Sequence, residues 1–144
     1  LCNMAYAHTH HQDGPVMVID FGTALTFSTV SRKGEVLGVA IAPGLVTAVN
    51  ALFGATAQLP QVELKVPDTV LGRDSMGSIR AGIMEGYAGL VERIIRKTEE
   101  ELGERVYVMA TGGLSTTIST LIDRLDELDP ILTLRGLSLI ASLN

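Results

Sequence analysis

Four apolar residues, Val16-Met17-Val18-Ile19, run straight into Asp20-Phe21-Gly22-Thr23. A short apolar run bounded by turn residues reads as a strand buried on both faces. Such a strand must end where a carboxylate appears. The glycine after it lets the backbone turn and lets a phosphate or cation come close. Asp20 is then the only charge at the strand end. Gly22 offers its amide, and Thr23 its hydroxyl, to phosphate oxygens. Two readings stay open at this point. One is a nucleotide-handling hairpin; the other is a tight turn in which Asp and Gly serve backbone geometry alone.

The residues that follow make a hairpin whichever reading holds. Ala24 to Val30 reads as a second strand, Ser31-Arg32-Lys33-Gly34 as its turn, and Glu35 to Ala42 as a third strand. In that third strand Leu37, Val39 and Ile41 point one way, and Val36, Gly38 and Ala40 the other. Pro43-Gly44 then opens a short helix, Leu45 to Phe53, closed by Gly54. Residues 55–73 read as irregular, punctuated by Pro60 and Pro67. A long helix is expected from Ser75 to Leu102, stopping at Gly103. A buried strand follows at Val106 to Ala110 and a helix at Leu114 to Leu125. A short extended piece is expected at Leu132 to Leu134 and a closing helix at Gly136 to Asn144. Residues 1–11 read as the tail of a helix, and Gln12-Asp13-Gly14-Pro15 as a turn. A hairpin followed by later strand–helix units gives an α/β fold, a mixed sheet with helices packed on it.

Composition excludes several classes. With 144 residues, 47% apolar and 19% charged, the chain suits one globular domain. The longest uncharged stretch, Val36 to Val62, is broken by Pro43, Gly44, Asn50, Gly54 and Pro60, so it is not a membrane span. A net charge of −5 argues against a nucleic-acid surface. Cys2 is the single cysteine, which forbids an internal disulfide and fits a reducing cytoplasm. No charged-then-apolar signal segment opens the chain. A cytoplasmic protein is therefore expected. Leu1 lies inside an apolar helix with no initiator methionine, so a fragment lacking its upstream part is expected.

A second loop could share the chemistry of the first. Ala110-Thr111-Gly112-Gly113-Leu114-Ser115 follows a buried strand and opens a helix. Free amides and the helix dipole at such a place favour an anion; the paired glycines could equally serve only to permit positive φ. At the head of the long helix, Asp74 or Ser75 is a natural N-cap. Ile79, Ile83, Tyr87, Leu90, Val91 and Ile94 form its apolar stripe. Ser78, Gly82, Gly86 and Gly89 form a neighbouring stripe of small residues, expected to pack on the domain's own sheet or, in a sharper reading, on a helix of a second subunit. Arg80 projects into the apolar arc, where it either stays exposed or meets an anion or carboxylate. His8, His10 and His11 lack carboxylate or cysteine company and read as a solvated helix end. Arg96 and Glu100 read as an i,i+4 pair on a solvated face.

Taken together, these pieces resemble type III pantothenate kinases. The matching text is Val18-Ile-Asp-Phe-Gly-Thr-Ala24, Ile41-Ala-Pro-Gly-Leu45, Ala51-Leu52, Thr56-Ala-Gln-Leu-Pro-Gln-Val-Glu-Leu64, Ser75 to Gly82, Gly86-Tyr87, Ala110-Thr-Gly-Gly-Leu-Ser115 and Leu132-Thr-Leu-Arg-Gly-Leu137. The blocks run in family order over nearly the whole chain. The resemblance implies a ribonuclease H-like domain of the actin-like, acetate and sugar kinase superfamily. Residues 13–144 would be its carboxy-terminal domain, and residues 1–12 a helix of the missing upstream domain or linker. It implies ATP-dependent phosphorylation of pantothenate to 4′-phosphopantothenate, the first step of coenzyme A biosynthesis. ATP with a divalent cation, a monovalent cation (potassium or ammonium) and a homodimer belong to that expectation. Residue by residue, Asp20 matches the family's potassium ligand, and Gly22 and Thr23 the ATP-contacting turn. Thr111, Gly112 and Gly113 match the adenosine-side loop. Ser75 stands where the family usually has a threonine that hydrogen-bonds pantothenate. Ser28 replaces a frequent aspartate and Val39 a frequent glycine. The family's Asp-x-Gly-Asn-Thr phosphate loop and its general-base aspartate in a Gly-x-Asp motif are absent from this sequence. That base is expected upstream of Leu1, and the fragment is expected to be inactive alone. Two rivals are a non-catalytic regulator of the Bvg accessory factor type and a superfamily kinase for another small substrate.

Overall fold

The structure is a computed structural model that describes residues 1–55 and 62–142. Positions 56–61 of the irregular segment and of the 56–64 block, and the last two residues of the closing helix, lie outside the described residues. The elements run α1 (Cys2–His10), β1 (Val16–Phe21), β2 (Ala24–Val30), β3 (Val36–Pro43), α2 (Leu45–Ala55), α3 (Ser75–Leu102), β4 (Tyr107–Thr111), α4 (Ser115–Ile118), β5 (Glu127–Leu128) and α5 (Leu132–Ser142). The sheet order is β3-β2-β1-β4-β5. β1 is antiparallel to β2 and parallel to β4, and β5 extends the parallel part. The expected mixed sheet is present.

Helices cover both faces. Met17, Ile19 and Phe21 of β1 meet Leu25 and Phe27 of β2, Val108 and Ala110 of β4, and the buried face of α3. Val16, Val18, Val30 and Met109 face the other way, onto Ala7 of α1 and Leu132 of α5. This explains the unbroken apolar run of β1, since a strand with a helix layer on each side has no polar face to show. Burying it is the main source of stability here, at about 25 cal/mol per Å² of apolar surface. α1 lies against α5 so closely that a Cβ at Gly136 would sit 2.4 Å from the Cys2 carbonyl oxygen.

Several expected elements differ. The buried residues of α3 are Ala81, Met84, Ala88, Val91 and Ile95. This 3-4-3-4 spacing leaves Ile83, Tyr87, Leu90 and Ile94 on its flank. The stripe of small residues does not pack on the sheet: Ser78, Gly82, Gly86 and Gly89 are exposed, and a Cβ at any of the three glycines meets nothing within 4 Å. The helix expected at 114–125 is only α4 and a 3₁₀ turn at Ser119–Leu121. Its hydroxyls bond back to the backbone, Ser115 Oγ to Gly112 O at 2.7 Å and Ser119 Oγ to Thr116 O at 3.0 Å, in place of a regular ladder. Leu132–Leu134 is the first turn of α5 rather than an extended piece, and the extended residues are instead Glu127–Leu128. Gly54 lies inside α2 instead of closing it. In β3 the small residues Ala40 and Ala42 face the core, while Val39 and Ile41 are exposed at 53% and 71%. A register shift sets Val36 opposite Val30, so Val36 leaves the face of Gly38 and Ala40.

Candidate functional site

Parallel pairing decides where the two glycine loops meet. Asp20 is the register partner of Thr111, so the carboxyl ends of β1 and β4 share one end of the sheet. In open α/β sheets that end is the usual ligand crevice. Gly112 crosses directly over the end of β1. Its φ is +98°, and a Cβ there would lie 2.7 Å from both Asp20 Oδ1 and the Phe21 backbone. Only glycine fits both the conformation and the approach. Below the first turn, Pro43-Gly44 closes the cluster. The Gly44 amide donates to Thr23 O at 3.0 Å and the Thr47 hydroxyl to the same oxygen at 2.8 Å. A Cβ at Gly44 would come within 2.2 Å of Gly22 O. Asp20, Gly22, Thr23, Thr111, Gly112 and Gly113 are thus assembled from two separate parts of the chain, and Pro43-Gly44 packs against them from a third.

Within the cluster the side chains differ in access. Gly22, Thr23 and Gly113 are exposed, Asp20 and Gly112 are partly buried, and Thr111 is buried. The second loop therefore presents backbone rather than the threonine side chain. Burial pushes the Asp20 carboxyl above its ordinary range, because desolvation disfavours the charged form. A carboxylate held this way gains from a cation at its open side. Among the described residues no group of three or more His, Cys, Asp or Glu could hold a metal ion.

Ser75 stands apart from this cluster. The Tyr87 hydroxyl donates to Pro43 O at 2.7 Å, which fixes the level at which α3 passes the site end of the sheet. Ser75 lies twelve residues earlier, about 18 Å along the helix. It is the first helical residue after the N-cap Asp74, whose carboxylate accepts from the Gly77 amide at 2.7 Å. An open depression of about 770 Å³ lies there, its lining including Asp68, Thr69, Arg73, Ser75 and Arg80. Arg80 is partly buried, and its Nε donates to the Glu63 carbonyl oxygen at 3.0 Å. Among the described residues it is tied by a backbone acceptor, not by a carboxylate.

The histidines are not a simple solvated end. His10 Nε2 lies 3.3 Å from Glu127 Oε2, and the His11 ring stacks on Tyr107 with centroids 4.0 Å apart. They tie α1 to the β4–β5 edge. Arg96 does pair with Glu100, at 2.7 Å.

A family model described as type III pantothenate kinase matches residues 1–97. The chain belongs to that family. Curated relatives called type III pantothenate kinase include one from Moorella thermoacetica, 47% identical over 131 residues, covering 91% of this chain and 52% of the relative. Another, from Fusobacterium nucleatum, is 43% identical over 144 residues, covering all of this chain and 56% of the relative. The chain spans about half the length of the curated relatives it matches. Among solved structures, a Baf family transcriptional activator from Campylobacter jejuni aligns at TM-score 0.66 and 19% identity, covering 98% of this chain and 64% of that one. The activator of 2-hydroxyisocaproyl-CoA dehydratase from Clostridium difficile, with bound ADPNP, aligns at TM-score 0.53 and 13% identity, covering 94% of this chain and 61% of that one. These neighbours place the domain in the actin-like ATPase fold.

For a member of the type III pantothenate kinase family, the structure adds residues that a reading of motifs passes over. Thr47 holds the Gly22-Thr23 turn through Thr23 O, and Tyr87, which the sequence places only in the apolar stripe and the Gly86-Tyr87 block, ties α3 to Pro43 O. Asp129 is buried at the end of β5. Its amide donates to Ala110 O at 2.9 Å, and its carboxylate accepts from the Ile131 amide and from Arg135 Nε at 3.0 Å. It braces the loop that begins at Thr111. The sequence signals were a threonine three residues after Gly44 and an Asp-Pro step, both too common to be decisive.

Proposed function

We propose that this chain supplies a nucleotide-binding half of a kinase that transfers the γ-phosphoryl group of ATP to pantothenate. What carries the reading is the convergence of Asp20, the Gly22-Thr23 turn and the Gly112-Gly113 turn at one sheet end, in a chain of this family. The site's chemistry fits the groups. Glycines clear the approach to the backbone, as a polyphosphate requires. A lone desolvated carboxylate with neighbouring backbone oxygens suits a weakly held monovalent cation. In this reading Asp20 would hold potassium or ammonium, and Thr23 and Gly22 would orient the phosphates. Gly112 and Gly113 would line the nucleoside side, and Ser75 would hydrogen-bond pantothenate. ATP, bound with a divalent cation, supplies the phosphoryl group. The chain's own residues bind and orient, which is most of what phosphoryl transfer asks of a protein. None of them is assigned as the general base.

A homodimer fits the exposed Ser78, Gly82, Gly86 and Gly89 stripe on α3, where a second helix could approach closely. The fold alone does not separate a kinase from a Baf-type regulator. The test is ADP release by the full gene product with pantothenate, acetate or a sugar. Pantothenate-dependent turnover supports the reading. Turnover with another acceptor only, or binding without turnover, overturns it.

A further inference from the structure

We infer that Arg80 is the residue that recognises the carboxylate of the acceptor substrate. The inference rests on the reading above and deepens it by assigning specificity to a side chain outside the nucleotide cluster. The depression at the head of α3 contains Ser75, the residue placed against pantothenate, together with Arg80. Two features make Arg80 more than a surface cation. It is partly buried, and its Nε is tied to Glu63 O at 3.0 Å, so the guanidinium plane is held, while among the described residues its terminal nitrogens have no partner. A guanidinium held in this way presents a planar fork that matches a carboxylate.

Other charges in the depression do not cancel this. Asp74 is committed to the Gly77 amide. Asp68 and Arg73 are exposed and largely screened by solvent. Arg80 lies seven residues before Tyr87, about 10 Å along the helix from the level of the Asp20 cluster. An acceptor with a hydroxyl at one end and a carboxylate at the other can therefore point its hydroxyl toward the nucleotide while its charge meets Arg80. Recognition of this kind acts on binding more than on the chemical step.

The experiment compares the full gene product with its Arg80→Gln and Arg80→Lys variants. Each is assayed with pantothenate and with the analogue that carries a primary amide in place of the carboxylate. Arg80→Gln is expected to raise KM for pantothenate about 10- to 100-fold. kcat should stay within about threefold, and KM for ATP and for the amide analogue should be unchanged. Arg80→Lys is expected to recover part of the loss, since it keeps the charge without the fork. Melting temperatures check that both variants fold. Equal losses for the acid and the amide, or no loss at all, overturn the inference while leaving the kinase reading intact. If the unsubstituted enzyme phosphorylates neither compound, both fall together.

Discussion

Replacing Gly112 by alanine tests the assembly of the site most severely. Its φ of +98° is strained for any residue with a Cβ, at about 1–2 kcal/mol. The added carbon would also lie 2.7 Å from Phe21 backbone atoms, which have no rotamer to escape into. Overpacking of that kind costs about 1–3 kcal/mol. The expected loss is therefore about 2–5 kcal/mol, a large share of the stability of a domain this size. Gly113→Ala is the matched control, because a Cβ there meets nothing within 4 Å and its φ is not positive. It should change stability by less than about 0.5 kcal/mol. Urea titrations of both variants give the numbers. A Gly112 variant as stable as the parent, or a Gly113 variant that loses as much, would refute the claim that the second loop is seated on the end of β1.

Further outcomes follow from the same geometry. Asp20→Asn should raise the melting temperature of the ligand-free chain at pH 7. Burial raises the folded pKa above the ordinary 3.8, so ionised Asp20 costs stability above that range. The gain should shrink as the pH falls through the raised folded pKa and vanish below 3.8, where the carboxylate is protonated in both states, and a flat difference across pH would contradict it. Tyr87→Phe removes the bond to Pro43 O and should cost about 0.5–1.5 kcal/mol by denaturant titration. Gly136→Ala should destabilise by about 1–3 kcal/mol, since the new carbon meets the Cys2 carbonyl. Gly89→Ala, by contrast, should stabilise an isolated chain by up to about 1 kcal/mol. If Gly89→Ala instead lowers stability in a concentration-dependent way, α3 is packed on a second copy.

Much of this was legible in the sequence, because the strongest signals are local. The bounds of β1, β2 and α3 follow from an apolar run, a turn and a capped helix, each readable within a few residues. Asp20 and Gly112 could be named as candidates for the same reason. Their meeting could not be read locally, since it depends on the parallel pairing of strands some ninety positions apart. Short elements failed for a physical reason as well. Around Ser115–Thr120 the hydroxyls compete with the helix ladder, and β5 is two residues held by tertiary contacts. The buried face of α3 lies one position from the expected stripe, because alanines at 81 and 88 carry little hydrophobic signal although they are buried in the contact.

Amide shifts on titrating Mg-ATP into the isotope-labelled 15.3 kDa chain, in potassium and then in sodium buffer, test the central claim most directly. The largest changes should fall on Gly22, Thr23, Gly112 and Gly113, and they should be larger in potassium. Silence at those four amides, with the response gathered on β3 or α5 instead, would contradict the account.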